Sequence, residues 1–89
     1  MIWTVTYLPT AEAELTRLWL ASSARNDLAR ASDEVERQLR SDPLHAGQEL
    51  GDHYWIIVEG PVAVLYQVDE PDCRVSVKAV FDWTVEEGS

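Results

Sequence analysis

Residues 48–82 read QELGDHYWIIVEGPVAVLYQVDEPDCRVSVKAVFD, and this stretch decides the fold. It holds three apolar runs, Tyr54-Trp55-Ile56-Ile57-Val58, Val62-Ala63-Val64-Leu65-Tyr66-Gln67-Val68 and Val75-Ser76-Val77-Lys78-Ala79-Val80-Phe81. Each is of strand length and rich in β-branched and aromatic side chains. Glu59-Gly60-Pro61 and Asp69-Glu70-Pro71-Asp72 separate them, and connections this short join antiparallel neighbours. The expectation is a three-stranded meander that serves as the platform for function.

Outward from that core, Ile2-Trp3-Thr4-Val5-Thr6-Tyr7 alternates bulky side chains with Thr and reads as a first strand. Pro9 stops the pairing and suits a helix start, with Thr10 as its expected N-cap and Glu12 and Glu14 favouring the positive end of the helix dipole. Ala11, Leu15, Leu18, Trp19 and Ser22 then share one helical face. Ser22-Ser23 breaks the pattern, with Asn26 or Asp27 as caps for the next segment. There Ala24, Leu28, Ala31, Val35 and Leu39 form one stripe, opposite Arg30, Asp33, Glu34, Arg37 and Arg40. Pro43 ends this helix near Ser41-Asp42. The turn chemistry of residues 42–52 reads as a loop. The fold class is thus α+β in one domain, 1–89: strand, helical hairpin, then meander, with both helices on one sheet face. The tail Thr84-Val85-Glu86-Glu87-Gly88-Ser89 is acidic and expected to fray.

Composition narrows the classes. Sixteen acidic and seven basic residues give a formal net charge of -9, which disfavours direct nucleic-acid binding and favours a basic partner surface. No apolar run approaches the roughly 18 residues of a membrane span, and the first residues carry no export signal. One cysteine, Cys73, cannot pair within the chain, which suits a reducing cytoplasm. No metal-ligand spacing, phosphate loop or dinucleotide fingerprint is present, so neither a metal nor a cofactor is expected.

The order of elements resembles the RelE/ParE superfamily of bacterial toxins and their plasmid-stabilisation relatives. Tyr7-Leu8-Pro9 with Ala11, Ala13 and Leu15 is similar to the family's opening strand and helix start. Leu39-Arg40-Ser41-Asp42-Pro43 with Gly47 and Leu50 resembles its helix-to-sheet junction. Gly60-Pro61-Val62-Ala63-Val64-Leu65-Tyr66-Gln67-Val68-Asp69 and Val75-Ser76-Val77-Lys78-Ala79-Val80 resemble its later strands. The likeness runs from Ile2 to about Trp83. It implies a toxin of a type II toxin–antitoxin system, cutting ribosome-bound mRNA or poisoning DNA gyrase, with an antitoxin protein as partner. The ribosome, gyrase and a second copy of the chain are the further partners considered.

The chemistry implied by the resemblance needs a base, an acid and cations for the phosphorane charge. Ala63 stands where many members carry Arg, and Phe81-Asp82-Trp83-Thr84 replaces a basic C-terminal region. Weak or lost endonuclease chemistry, with action through protein binding, is therefore expected; a non-toxic interaction module retaining the fold is the alternative. The residues assigned to any surviving cleavage are Lys78 for charge and His53 with Asp82 for proton transfer. His53 also reads as an exposed strand-edge residue and Lys78 as a solubilising one. Period-2 alternation places Val64, Tyr66, Val68, Val75, Val77, Ala79 and Phe81 under the helices. It leaves Ala63, Leu65, Gln67 and Val80 outside as the partner-binding strip.

Overall fold

The computed structural model describes residues 2–22 and 25–83. In chain order these form β1 (Thr4–Tyr7), α1 (Pro9–Ala21), α2 (Arg25–Ser41), α3 (Pro43–Ala46), β2 (Gln48–Gly51), β3 (Tyr54–Glu59), β4 (Val62–Asp69) and β5 (Arg74–Asp82). The strands make one sheet in the order β1-β5-β4-β3-β2. The expected meander is β3-β4-β5, antiparallel throughout, and β1 joins it parallel to β5. The fold class is α+β, as the sequence indicates.

Local chemistry accounts for the helices, with small corrections at their ends. Pro9 opens α1, where its missing N–H leaves no donor unsatisfied, so Leu8 is the cap and Thr10 lies inside the helix. Glu12 lies in the first turn, whereas the Glu14 carboxylate accepts the Val80 backbone N–H at 3.3 Å. That amide lies beyond the end of β1, so an α1 side chain completes the outer edge of β5 there. Asn26 and Asp27 do not cap α2; both lie within its first turn. Leu28, Ala31, Val35 and Leu39 of its expected stripe are all buried. Ser23, Ala24 and the tail 84–89 lie outside the described residues.

Residues 42–52 are not a plain loop. Pro43 starts the short helix α3, and the chain after Gly47 pairs with β3 as a fifth strand, β2. The joint is held by Tyr66, wholly buried on β4, whose hydroxyl donates to the Pro43 carbonyl at 2.8 Å. The Gly47 backbone N–H also meets this phenolic oxygen.

Both helices lie on one sheet face, α1 mainly over β5 and α2 over β3, β4 and β1. Between them and the sheet sit Ala11, Leu28, Ala31, Val35, Leu39, Ile57, Val62, Val64, Tyr66, Val75, Val77 and Val80. Trp3, Leu15, Leu18, Trp19 and Trp55 pack around this centre. Bulky side chains at its margin close a core that a chain of this length fills only sparingly.

The register of β5 departs from simple alternation. Tyr66 faces Val77 and Leu65 faces Ala79, so Lys78 is the extra residue of a β-bulge. The bulge resets the phase. Val75 and Val77 lie under the helices as expected, but beyond it Val80 does so too, at 3% exposure, while Phe81 turns outward at 42%. Placing Ala79 and Phe81 in the core and Val80 outside is therefore corrected. Ala63 does face the open side, yet it is 0% exposed, between Val58 of β3 and Phe81 of β5. Ala63 and Val80 are accordingly removed from the partner-binding strip, and Leu65 and Gln67 stay in it, half-buried.

Candidate functional site

The sheet face opposite the helices is the surface on which the candidate residues must be judged. Cross-strand partners share a face, so the register lays this surface out in rows. Val58, Ala63 and Phe81 form one row; Ile56, Leu65 and Ala79 the next; Tyr54, Gln67 and Ser76 a third. Thr6 continues the third row onto β1, and Thr4 pairs with Arg74 at the corner. The surface thus runs from aliphatic and aromatic at the Phe81 end to hydroxyl, amide and guanidinium at the Arg74 end. Val58 and Phe81 are its exposed apolar members; Trp83, also exposed, follows β5 with its backbone N–H bonded to the Pro61 carbonyl at 2.7 Å.

Positive charge on the sheet is confined to Arg74 and Lys78. Arg74 opens β5 at one end, and Lys78 is the bulge residue near its middle. His53 does not begin a strand: it occupies the two-residue turn between β2 and β3, with φ of 66° after Asp52 at 53°. Both residues thus adopt left-handed geometry that favours Gly or Asn. Asp82 closes β5 opposite Val62, at the far end of the sheet. Along the strand direction His53 and Asp82 are separated by about 20 Å, at the usual rise of roughly 3.3 Å per residue. Lys78 is about 13 Å from Asp82 by the same measure. The fold therefore does not gather His53, Lys78 and Asp82 into one acid–base centre.

The His that does have a carboxylate partner is His45, whose Nδ1 lies 2.9 Å from both Asp42 oxygens. The pair spans one turn of α3 and is exposed. Its i,i+3 spacing is visible in the sequence only once that turn is known to be helical. Two tyrosines have strongly raised pKa values. Burial pushes the Tyr66 phenol up to about 12. Tyr7 is raised further, first by burial and then by Glu36, to which its hydroxyl donates at 3.1 Å. Both phenols hold structural joints, Tyr66 to α3 and Tyr7 to α2. Among the described residues no group of three or more His, Cys, Asp or Glu is placed to hold a metal ion.

A concave feature lies on the helix side, away from the candidate residues His53 and Lys78. The ends of α1 and α2 and the β3–β4 turn enclose a groove of about 930 Å³. Leu18, Ala21, Leu28 and Ala31 form its apolar part, and Asp27, Glu34, Glu59 and Asp82 lie around it. Its sequence signal is slight: Leu18 on one helical stripe, Leu28 and Ala31 on another, and Glu59 and Asp82 distant from both along the chain.

No family model and no curated protein sequence matches the chain. Solved structures do. A chain of the RelBE2 toxin–antitoxin complex from Mycobacterium tuberculosis is similar with a TM-score of 0.77 at 22% identity, over 92% of this chain and 99% of that one. The isolated E. coli RelE toxin gives 0.68 at 19% identity, over 96% and 88%. A chain of the chromosomal ParDE system of P. aeruginosa gives 0.69 at 10% identity, over 93% and 98%. The architecture defined above is thus that of small bacterial toxins. The protein has the RelE/ParE toxin fold, complete from β1 to the end of β5.

Proposed function

We propose that the protein is the toxin-family component of a type II toxin–antitoxin system, acting through protein binding with weak or lost mRNA endonuclease chemistry. The observation that carries this reading is the open sheet face: apolar at the Phe81 end, with Arg74 and Lys78 as the sheet's cations and, among the described residues, His53, Lys78 and Asp82 held apart. Cleaving RNA by attack of the ribose 2′-hydroxyl on phosphorus, with departure of the 5′-oxygen, requires charge stabilisation and proton transfer at one point, and dispersed groups supply neither. An apolar face with Leu65 and Gln67 at its centre suits a protein surface better. The complexes among the structural neighbours support an antitoxin protein as the partner. The cellular target is proposed to be protein, with DNA gyrase and the ribosome as the candidates.

Induced expression in a bacterial host tests this reading. Growth arrest without codon-phased cuts in ribosome-associated mRNA is expected by primer extension. Codon-phased cuts that disappear on Lys78→Ala, His53→Ala or Asp82→Ala would establish the nuclease instead. The absence of arrest would favour the non-toxic interaction module, a reading supported by the same separation of His53, Lys78 and Asp82.

A further inference from the structure

The open sheet face differs from the rest of the molecule in charge. Glu49 pairs with Trp55, and Glu59 and Asp82 both lie opposite Val62, so these carboxylates belong to the helix side of the sheet. Glu12, Glu14, Asp27, Asp33, Glu34 and Glu36 are carried by the helices that cover that side. Among the described residues, the acidic member of the open rows is Asp69, and its cross-strand partner on β5 is Arg74. Apart from Lys78 in the bulge, these rows therefore carry no net charge, on a chain whose formal total is -9. A basic partner would find its carboxylates on the other side of the molecule.

The rows are also self-complementary. A two-fold axis between two copies, running along β4, stacks β4 on its own counterpart and β5 on β3 of the second copy, with the rows kept level. Ala79 then lies over Ile56, and Ser76 over Tyr54, a small side chain against a large one each time. Phe81 meets Val58, both exposed and apolar, beside the flush methyl of Ala63. Leu65 meets Leu65 at the axis. Carried past Tyr54 and Gln67, the β3–β4 register sets residue 52 level with Asp69, so Arg74 comes level with Asp52 of the second copy. Sheets stacked in this way pack about 10 Å apart with strand directions within roughly 30°.

We propose that the open sheet face is an isologous interface between two copies of this chain. The proposal rests on the protein-binding reading of this face given above and names an occupant for it. Five strands about 4.8 Å apart, and the eight residues of β4 at about 3.3 Å each, make a face of roughly 20 by 25 Å. With side-chain relief, about 500–700 Å² is buried per copy, near the lower limit of roughly 1,200 Å² in total for stable interfaces. The dimer is therefore weak and exchanging, with a dissociation constant of about 1–100 µM. Because it covers Leu65 and Gln67, self-association competes with target binding and falls away as the chain is diluted.

Sedimentation equilibrium of the full 89-residue chain tests this, from about 1 to 300 µM at about 0.05 and 0.5 M NaCl. Monomer is expected at the low end and dimer at the high end. Salt should tighten the dimer at least threefold, because screening the repulsion between two chains of charge -9 outweighs the loss at two exposed ion pairs. Leu65→Asp sets two carboxylates against each other at the axis and should weaken the dimer at least tenfold. Asp52→Asn and Arg74→Gln each remove both symmetric pairs and should each weaken it about tenfold, at roughly threefold per pair. Asn suits the left-handed geometry at position 52, so the turn is preserved. The double variant should be no weaker than either single one, since both act on the same pair. A chain that stays monomeric, a dimer that loosens with salt, affinity unchanged by Leu65→Asp, or additive losses in the double variant would overturn the proposal. A monomer that arrests growth discards the interface and leaves the toxin reading standing. A dimer of a chain that arrests nothing upholds the interface and discards the toxin reading.

Discussion

Gly47→Ala isolates one packing constraint and gives it a sign. At Gly47 the backbone has φ of -118° and ψ of -170°, an extended geometry that alanine adopts without strain. In open space the substitution would stabilise the protein by about 0.5 kcal/mol, because alanine restricts the unfolded chain. The site is not open. A Cβ there would lie 2.5 Å from the Ile56 carbonyl oxygen and 2.6 Å from the Tyr66 hydroxyl. The first neighbour is backbone of a central strand, and the second is a wholly buried ring locked to Pro43. Overpacking of this kind costs about 1–3 kcal/mol. A further 1–3 kcal/mol follows if the phenol loses its partners in a buried setting. A net loss of about 3 kcal/mol is expected, a large share of the roughly 5–10 kcal/mol available to a domain of this size. Urea denaturation with an unchanged slope would measure it, and thermal unfolding should fall by roughly 10–20 °C. Tyr66→Phe removes one of the two clashes, so the double variant should be less destabilised than the sum of the single ones. A Gly47→Ala protein as stable as the parent would refute the close approach of β2 to Tyr66.

Other expectations follow from the same geometry. Tyr66 keeps its proton in the folded state up to pH about 12, while the unfolded phenol loses it near 10. The unfolded chain then binds fewer protons, so this contribution to stability is intact below pH 10 and lost between pH 10 and 12, by roughly 3 kcal/mol at most; Tyr66→Phe should make alkaline unfolding less steep. His53→Gly should stabilise the protein by about 1 kcal/mol in thermal unfolding, since it relieves a left-handed residue in the β2–β3 turn. Val80→Asp should cost more than about 3 kcal/mol by placing a carboxylate under the helices, whereas Leu65→Asp on the open face should cost about 1 kcal/mol or less. Equal costs for those two in urea denaturation would contradict the bulge at Lys78.

The amino-acid sequence by itself determined the elements whose signals are local. Period-2 runs bounded by Gly60-Pro61 and Pro71 set the meander, a 3.6-residue stripe through Leu28, Ala31, Val35 and Leu39 set α2, and Pro9 and Pro43 marked helix boundaries. Tertiary structure decided what depends on pairing. Residues 48–51 carry no strong strand pattern; they become β2 because β3 offers an edge and Tyr66 holds the preceding turn. Alternation in β5 looks unbroken along the sequence, but β4 skips Lys78 in the pairing, and that one displacement exchanges the faces of Val80 and Phe81. The candidate site followed the same division. The scarcity of cations on the strands was legible in the residues themselves. The distance between His53 and Asp82, and the groove joining α1, α2 and the β3–β4 turn, arise only when segments far apart in the chain are packed together.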